Sequence, residues 1–95
     1  MVKVIANNHI KAGNLEKAYP LYEELVAETR KEPGCAGYDL LQDNQDAGHF
    51  VFVESWQTQE DLDKHMQSAH FTRILPQLDA LSEKTGAVNL FTQKY

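Results

Sequence analysis

Apolar and polar positions alternate with a period of two at the start of the chain, over residues 2–11. One face of this segment collects Val2, Val4, Ala6, Asn8 and Ile10. This period, together with the β-branched side chains, is typical of a β-strand. Three later segments, bounded by turn residues or by helical patterns, are also predicted to be strands: residues 36–43, 49–57 and 87–94.

Helical spacing follows the first predicted strand. The main apolar stripe of residues 15–31 is formed by Leu15, Ala18, Tyr22, Leu25 and Val26. These positions recur at the spacing of one helix face, so they predict an amphipathic helix. We expect Asn14 to be the N-cap of this helix and the turn Glu32-Pro33-Gly34 to end it.

Two shorter helices are predicted in the second half of the chain. Thr58 is a suitable N-cap for a helix over about residues 59–68, and the apolar spacing predicts another over about 71–84. Because these two helices follow one another between the third and fourth strands, they count as one helical segment. The element order is then β-α-β-β-α-β, the ferredoxin-like arrangement. Right-handed crossovers give an antiparallel sheet with strand order 4-1-3-2. The sequence therefore predicts an α+β fold, with residues 1–95 forming a single domain.

Both faces of the predicted sheet carry apolar side chains. In the third strand, Phe50, Phe52, Glu54 and Trp56 point to one side, whereas Val51 and Val53 point to the other. Two helices can cover only one side of a four-stranded sheet, and lone soluble proteins rarely expose an apolar patch of several hundred Å². We therefore expect a homodimer in which the second faces of two copies pack together.

The composition disfavours several classes of partner. The 95 residues include 9 Lys and Arg against 14 Asp and Glu, a formal net charge of −5. Nucleic-acid affinity depends largely on clustered cations, so we expect no nucleic-acid partner. No apolar run approaches the roughly 20 residues of a membrane helix, so no membrane association is expected. The single Cys35 and the absence of a signal-peptide core at the N-terminus indicate a cytoplasmic location.

The segment from Glu54 to Phe71 holds the residues best suited to chemistry. Glu54 shares its strand face with aromatic residues, where a carboxylate is costly unless it has a partner. His65 on the following helix is a candidate partner, and such a pair would shift both pKa values. The alternative is a structural hydrogen bond between helix and strand. His65 and His70 would lie about 140° apart round one helix, so we expect no metal site.

Other side chains are expected to line a pocket for a small molecule. Asn8 lies near the end of the first strand, where its amide would hold either a substrate oxygen or a neighbouring backbone group. Trp56 is either core filler or a flat wall for a planar aromatic ligand. The candidate substrate-binding residues are Tyr38, Phe52, Glu54, Trp56 and His70, and the candidate catalytic residues are Asn8 and His65.

Three segments in combination resemble the antibiotic biosynthesis monooxygenase domain proteins. They are VKVIANNHIKAG, KEPGCAGYDLLQD and FVFVESWQTQEDLDKHMQSAHF. The resemblance implies a dimeric α+β barrel with a pocket between the sheet and the helices of each subunit. Members include enzymes that oxidise hydroquinones or anthrone-type phenols with O₂ and need neither flavin nor metal. For this chain it implies a quinol-like aromatic substrate and no cofactor. It also implies a pocket formed by Asn8, Trp56 and His65, supported by Glu54 and His70.

Other branches of the same fold provide alternatives. A haem-degrading branch carries a Trp where this chain has His65 and a haem-ligating His near Leu75, so both positions argue against haem degradation. Another branch isomerises a small phosphorylated signal, which makes an isomerase or lyase acting on a small carbonyl compound an alternative. The third possibility is a dimer that binds a small molecule without catalysis. These three functions differ in whether turnover needs O₂, proceeds without O₂, or does not occur.

Overall fold

Five antiparallel strands form one sheet, and three of them are long. The structure, a computed structural model, describes residues 1–95. The strands are β1 (Val2–Ile10), β2 (Cys35–Asp43), β3 (Asp46–Trp56), β4 (Ser82–Lys84) and β5 (Val88–Thr92). Their spatial order is β2-β3-β1, and both β4 and β5 pair with the remaining edge of β1. The predicted α+β fold and the order 4-1-3-2 are therefore confirmed. The last predicted strand is β5, and the short β4 was not predicted as a strand.

Three helices lie close to the predicted positions. They are α1 (Leu15–Thr29), which continues a 3₁₀ turn over Ala12–Asn14, α2 (Gln59–Met66) and α3 (Ala69–Leu81). The backbone N–H of Asp61 donates to Thr58 Oγ1 at 3.1 Å, so Thr58 is confirmed as the N-cap of α2. None of the three combines the length and the apolar character that a bilayer-spanning helix requires.

The predicted start of the first helix is confirmed, whereas the predicted end of the third helix is wrong. Asn14 occupies the N-cap position of α1, but its side chain makes no cap bond and donates instead to the Leu81 carbonyl at 3.2 Å. The third helix ends at Leu81 rather than near residue 84, because residues 82–84 pair with the end of β1. The Lys11 N–H also donates to the Leu81 carbonyl, at 3.1 Å. Hydrogen bonds to this strand edge thus replace a further turn of helix.

The core lies between the sheet and the helices. Alternate residues of β3 face inward, and Phe50, Phe52 and Trp56 are each at most 3 % exposed. Tyr22 of α1 packs on two of these rings, with centroid separations of 4.8 Å from Phe50 and 5.7 Å from Phe52. Fully buried aliphatic side chains from the helices complete the core: Leu25, Ile74 and Leu78. The predicted division of β3 into two faces is therefore confirmed, and the face that carries Phe50, Phe52 and Trp56 is the one packed against the helices.

The opposite face of the sheet, here called the outer face, carries apolar side chains without a covering helix. Ile5 lies opposite Val53 in the β1–β3 pair, and both are half-buried. Val51 shares this face, and Leu41 and Phe91 extend it with exposed fractions of 54 % and 52 %. The outer face is consequently an apolar strip that runs across four strands.

Candidate active site

A cavity of about 240 Å³ lies between the inner side of the sheet and helices α2 and α3. Five predicted site residues border it: Asn8, Tyr38, Phe52, Glu54 and His65. Apolar side chains from β1, α2 and α3 complete much of the lining: Val4, Ala6, Leu62, Phe71 and Leu75. Val88 and Leu90 of β5 also border the cavity and are 60 % and 51 % exposed, so it opens beside this edge strand. No Lys or Arg side chain borders it.

His65 is held in the cavity wall by Glu32, which lies just beyond the end of α1. The Nδ1 atom of His65 is 2.7 Å from Glu32 Oε2, and His65 is 1 % exposed. An ionised carboxylate can only accept hydrogen bonds, so Nδ1 carries the hydrogen and donates it. The lone pair of the neutral imidazole is then on Nε2, for which the protein supplies no hydrogen-bond partner.

Three aromatic rings enclose the His65 imidazole. Ring centroids lie 4.7 Å away for Trp56, 4.9 Å for Phe71 and 5.4 Å for Tyr38. Burial lowers the pKa of His65 below its ordinary 6.5, and the hydrogen bond that His65 donates to Glu32 opposes this shift. His65 is therefore neutral at neutral pH and held in one tautomer, which is the state required of a general base.

His70 reaches the same carboxylate oxygen from α3. Its Nε2 lies 2.8 Å from Glu32 Oε2. The predicted separation of the two imidazoles round a single helix is wrong, because α2 ends at Met66 and α3 begins at Ala69. The chain changes direction between these residues, so His65 and His70 converge on Glu32. His70 does not border the cavity, and its ring centroid lies 6.2 Å from that of His65.

Ser68 stabilises the break between the two helices. Its hydroxyl donates to the His65 carbonyl at 2.6 Å and accepts from the Phe71 N–H at 3.3 Å as the N-cap of α3. Ser68 Oγ also lies 3.2 Å from His70 Nε2. The position of both imidazoles thus depends on a short polar network at this break.

The convergence of Glu32, His65 and His70 raises the question of a cation. Their nearest side-chain ligand atoms all lie within 4.8 Å of one another. Both contacts to Glu32 Oε2 have the length of hydrogen bonds. In each of them the imidazole nitrogen carries a proton, whereas coordination of a cation would need the lone pair of that nitrogen. We therefore interpret the three residues as a hydrogen-bonded network that positions His65, and the expected absence of a metal site stays a prediction.

Glu54 borders the cavity but makes no hydrogen bond to His65, so the predicted pair is wrong. Glu54 Oε1 accepts instead from Trp56 Nε1 at 3.0 Å, two positions along the same strand face. Glu54 is 6 % exposed and takes part in no ion pair. Burial raises the pKa of Glu54 to about 7, although the Trp56 hydrogen bond opposes this shift. This carboxyl therefore exchanges its proton near neutral pH.

Trp56 contacts Glu54 and His65 but does not border the cavity. It is 0 % exposed. Its indole N–H holds Glu54, and its ring lies against His65. The position of Trp56 does not support its predicted role as a wall for an aromatic ligand. The aromatic wall comes instead from Tyr38 and Phe52, whose ring centroids lie 5.2 Å apart, and from Phe71.

Asn8 has a side-chain amide and borders the same cavity. It lies on the inner face of β1, opposite Phe50 of β3, and is half-buried. Its side chain forms no hydrogen bond within the protein, whereas the adjacent Asn7 side chain bonds to His49 at 2.8 Å and to the Ala87 carbonyl at 3.5 Å. The amide of Asn8 is therefore free to bind an oxygen atom of a ligand.

Glu32 is the site residue that the sequence reasoning missed. The pattern assigned it only to the turn that ends the first helix. An acidic side chain just beyond a helix C-terminus is unfavourable beside the negative end of the helix dipole. That local mismatch was the available signal that Glu32 has a partner elsewhere. The turn is fixed by Gly34, whose φ is +84°, and by the Gln57 N–H, which donates to the Gly34 carbonyl at 2.9 Å.

The fold and the enclosed acid–base groups define a ferredoxin-like α+β protein with a site suited to a small molecule. A model of the antibiotic biosynthesis monooxygenase family matches residues 1–77. The chain belongs to this family, and the predicted resemblance is confirmed.

Curated relatives are similar over most of this chain. "Putative monooxygenase Rv0793" of Mycobacterium tuberculosis is 31 % identical over 70 residues, which cover 74 % of this chain and 68 % of the relative. "Putative monooxygenase YcnE" of Bacillus subtilis is 30 % identical over 71 residues, which cover 75 % of both chains. An uncharacterized protein of Synechocystis is 26 % identical over 90 residues. The match covers 95 % of this chain but only 61 % of that relative.

Solved structures share the complete fold. A crystal structure described as an antibiotic biosynthesis monooxygenase has a TM-score of 0.97 and 44 % identity, with full coverage of both chains. A conserved protein from Methanosarcina mazei has a TM-score of 0.94 and 30 % identity, covering 98 % of this chain and 92 % of that one. The arrangement of strands and helices is thus shared with both of these solved structures.

Proposed function

We propose that this chain is a monooxygenase that oxidises a quinol-like aromatic compound with O₂ and uses neither flavin nor metal. The observation that supports this best is the imidazole of His65. Its Nδ1 is bound to Glu32 and its Nε2 is unpartnered on the wall of an apolar cavity. Membership of the monooxygenase family, and relatives that are named monooxygenases, support the reaction class.

The reaction begins when His65 Nε2 takes a phenolic proton from the substrate. The resulting anion is electron-rich and passes an electron to O₂, and the two radicals combine to form a carbon–oxygen bond. The substrate supplies the electrons, so the chemistry needs no bound redox cofactor. Asn8 donates from its amide to a substrate oxygen and fixes the ring against the base. The apolar walls exclude water, which protects the reactive intermediates.

The size and lining of the cavity indicate the substrate class. A volume of about 240 Å³ lies below the roughly 300–1,000 Å³ of sites for drug-sized ligands. A quinol with one or two rings therefore fits better than a tetracyclic phenol. Tyr38, Phe52 and Phe71 provide flat apolar contacts for such a ring. We propose a substrate that presents a hydroxyl group toward His65 and Asn8.

Oxygen uptake tests this function directly. Purified protein, treated with a chelator and free of added flavin, would be supplied with benzene, naphthalene and anthracene diols in oxygen-saturated buffer. We expect uptake above the spontaneous rate, strongest for one or two rings, and a loss of at least about 100-fold in His65→Ala. His9→Ala is the matched control, because His9 lies on the outer face. Uptake that is unchanged in His65→Ala, or no uptake with any diol, would contradict the proposal.

A second candidate function is favoured by one observation. Glu54 and His65 border the same cavity as two separate proton-exchanging groups, which is the arrangement that an isomerase or lyase acting on a small carbonyl compound needs. The absence of Lys and Arg from the lining argues against a phosphorylated substrate, because a phosphate would have no cationic partner. Turnover under anaerobic conditions would support this alternative. Ligand-induced stabilisation without any product would support the third possibility, a binding protein.

We also propose that two copies of the chain pack through the outer face. The apolar strip formed by Ile5, Val51, Val53, Leu41 and Phe91 has no covering helix. Removing such a strip from water is favourable by about 25 cal/mol per Å² before the costs of association. The remaining partners in this proposal are the aromatic substrate and O₂. A cytoplasmic location and the lack of a nucleic-acid partner stay predictions from composition.

A further inference from the structure

A second ionisable group in the cavity has no task in the proton abstraction described above. Glu54 lies on the inner face of β3, directly opposite Val4 of β1 and Tyr38 of β2. Only one of its oxygens has a partner, Trp56 Nε1 at 3.0 Å. The other oxygen has no hydrogen-bond partner in the protein, and the residue borders the cavity. A ligand in the cavity is therefore the available partner for this oxygen.

The position of Glu54 is unfavourable for a purely structural carboxyl. A buried charged group normally has a cationic or several polar partners, because its transfer from water is costly. Glu54 has one neutral donor, and its cross-strand neighbours offer no cation. An apolar residue would fill this position of the core at lower cost. The carboxyl is better explained by chemistry in the cavity than by stability.

Resting on the proposed function, we propose that Glu54 is a second catalytic residue that donates a proton to the departing oxygen of a peroxide intermediate. His65 and Glu54 then have complementary tasks. His65 takes a proton when the substrate is activated, and Glu54 supplies one when the oxygen–oxygen bond breaks. Trp56 is a positioning residue, because its indole N–H holds one carboxyl oxygen and leaves the other directed to the cavity.

The atoms and electrons of this step balance. A quinol anion that has combined with O₂ carries a peroxide on a ring carbon, and His65 returns its proton to the outer oxygen to give a hydroperoxide. The ring C–H bond then breaks with its proton passing to His65, and the electron pair forms a C=O bond as the O–O bond breaks. The departing hydroxide takes the proton of Glu54 and leaves as water. The sum is quinol plus O₂ giving hydroxyquinone plus water, and proton transfer from the imidazolium to the carboxylate restores the site.

The protonation state of Glu54 agrees with this task. Burial raises its pKa to about 7, so the carboxyl holds a proton in mildly acidic solution and through much of the neutral range. The titratable groups that face it are Cys35 and Tyr38 of β2, Glu32 of the preceding turn, His65 of α2 and Asp79 of α3. The negative charge of Glu32 adds to the effect of burial. An acid that is half-protonated near neutral pH is suited to donating a proton and recovering it in each turnover.

The first experiment measures Glu54 directly and needs no turnover. Carbon-13 NMR of protein labelled at the Glu side-chain carboxyl would be recorded from pH 4 to pH 9, with Glu54→Gln used to assign the signal. We expect a titration near pH 7 that moves when 1,4-dihydroxynaphthalene is added anaerobically. The dimethoxy analogue, which has no hydroxyl groups, should shift the titration less. A titration near the ordinary value of 4.5 would overturn the proposal.

The second experiment separates Glu54 from His65 through the product. Gln retains an acceptor for Trp56 but cannot donate an acidic proton, so Glu54→Gln should bind the diol with unchanged affinity and lose at least about tenfold in kcat. Oxygen consumed should then appear increasingly as hydrogen peroxide rather than in hydroxyquinone, as measured with labelled O₂. Glu54→Asp, which retains the acid, should recover part of the hydroxyquinone yield. Glu83→Gln at an exposed position is the matched control.

The outcomes distinguish this proposal from the proposed function. Wild-type kcat and product ratio in Glu54→Gln would overturn the role of Glu54 while leaving the monooxygenase function intact. No oxygen uptake by the wild type would overturn the monooxygenase function. In that case, a Glu54 titration near pH 7 that responds to the anaerobic diol would still support Glu54 as a proton-exchanging group in the cavity.

Discussion

The carboxylate of Glu32 lies 2.7 Å from Nδ1 of His65, although the two residues are separated by 33 positions in the sequence. Glu32 follows the end of α1, whereas His65 lies in the last turn of α2. Their contact fixes the tautomer of the imidazole and leaves Nε2 as the hydrogen-bond acceptor toward the cavity. The tautomer of the proposed base is therefore set by a residue in the turn that follows α1.

Removing the charge of Glu32 should weaken His65 as a base. In Glu32→Gln we expect a loss of roughly 10–100-fold in oxygen uptake, because the orientation and basicity of His65 both depend on this hydrogen bond. The matched control is Glu28→Gln, which removes a carboxyl that pairs with Lys31 at the surface. The nitrogen-15 NMR signals of His65 should report the Nδ1–H tautomer in the wild type and a mixture in Glu32→Gln. An unchanged tautomer would show that Glu32 does not position this ring.

Replacing Asn8 should affect ligand binding more than stability. Its side chain has no hydrogen bond within the protein, so Asn8→Ala should change the free energy of unfolding by less than about 1 kcal/mol. A lost hydrogen bond to a substrate oxygen should nevertheless reduce kcat/KM by roughly tenfold or more. Asn44→Ala in the β2–β3 turn controls for the loss of an exposed amide. Equal kcat/KM in the wild type and Asn8→Ala would remove Asn8 from the proposed site.

Stability should depend on pH through Glu54. Its pKa is about 7 in the folded protein and has an ordinary value of 4.5, so the folded state binds more protons between these values. The stabilisation from this raised pKa is complete below pH 4.5 and is lost as the pH rises through 7. Glu54→Gln avoids that loss and should be more stable than the wild type at pH 8 by up to about 3 kcal/mol. Urea unfolding at one protomer concentration should show no such gain at pH 4.

The turn that carries Glu32 should be sensitive to substitution at Gly34. Its φ of +84° is unfavourable for a residue with a side chain, and an added Cβ would lie close to the side chain of Asp61. Gly34→Ala should therefore lower the free energy of unfolding by at least about 1–2 kcal/mol. Gly13→Ala is the matched control, because an added Cβ there meets no atom within 4 Å. Equal stability of the two variants in urea unfolding would contradict this account of the turn.

A charge on the outer face should separate the proposed dimer. Val53 lies near the middle of the apolar strip, opposite Ile5, and burial of an unpaired ammonium group there would be costly. At about 10 µM in light scattering, we expect the wild type to be a dimer and Val53→Lys to be a folded monomer. Ala80→Lys places the same charge on an exposed position of α3 and should leave the dimer intact. A wild-type monomer at this concentration would disprove the proposed assembly.

The fold was predictable because its information is local and periodic. Alternation in β1 and β3 divided their residues between two faces of the sheet, and the apolar spacing located the helices. Element ends were predicted less well, because competing hydrogen bonds decide them. Residues 82–84 continue the helical pattern in the sequence but pair with β1 in the structure. The side chain of Asn14 likewise donates a hydrogen bond to a carbonyl of α3 and does not cap its own helix.

The members of the site were easier to predict than their contacts. Asn8, Glu54 and His65 were found because polar groups on an otherwise apolar inner face need an explanation. The partner of His65 was wrong, because Glu32 is distant in sequence and its approach depends on how the turn folds back. The convergence of His70 was missed for a related reason. A short break between two helices changes the direction of a side chain, and spacing along an assumed single helix cannot show it.

The two sides of the cavity should tolerate mutation unequally. The acid–base groups are built into buried parts of β3 and α2, where a substitution disturbs both the core and the chemistry. Val88 and Leu90 border the same cavity from an edge strand and are more than half exposed, so they contribute little to core packing. Changes at these two positions can reshape the entrance while the reactive groups stay in place. Under the proposed function, substrate preference can therefore diverge through β5 without repeated loss of folding or of the acid–base groups.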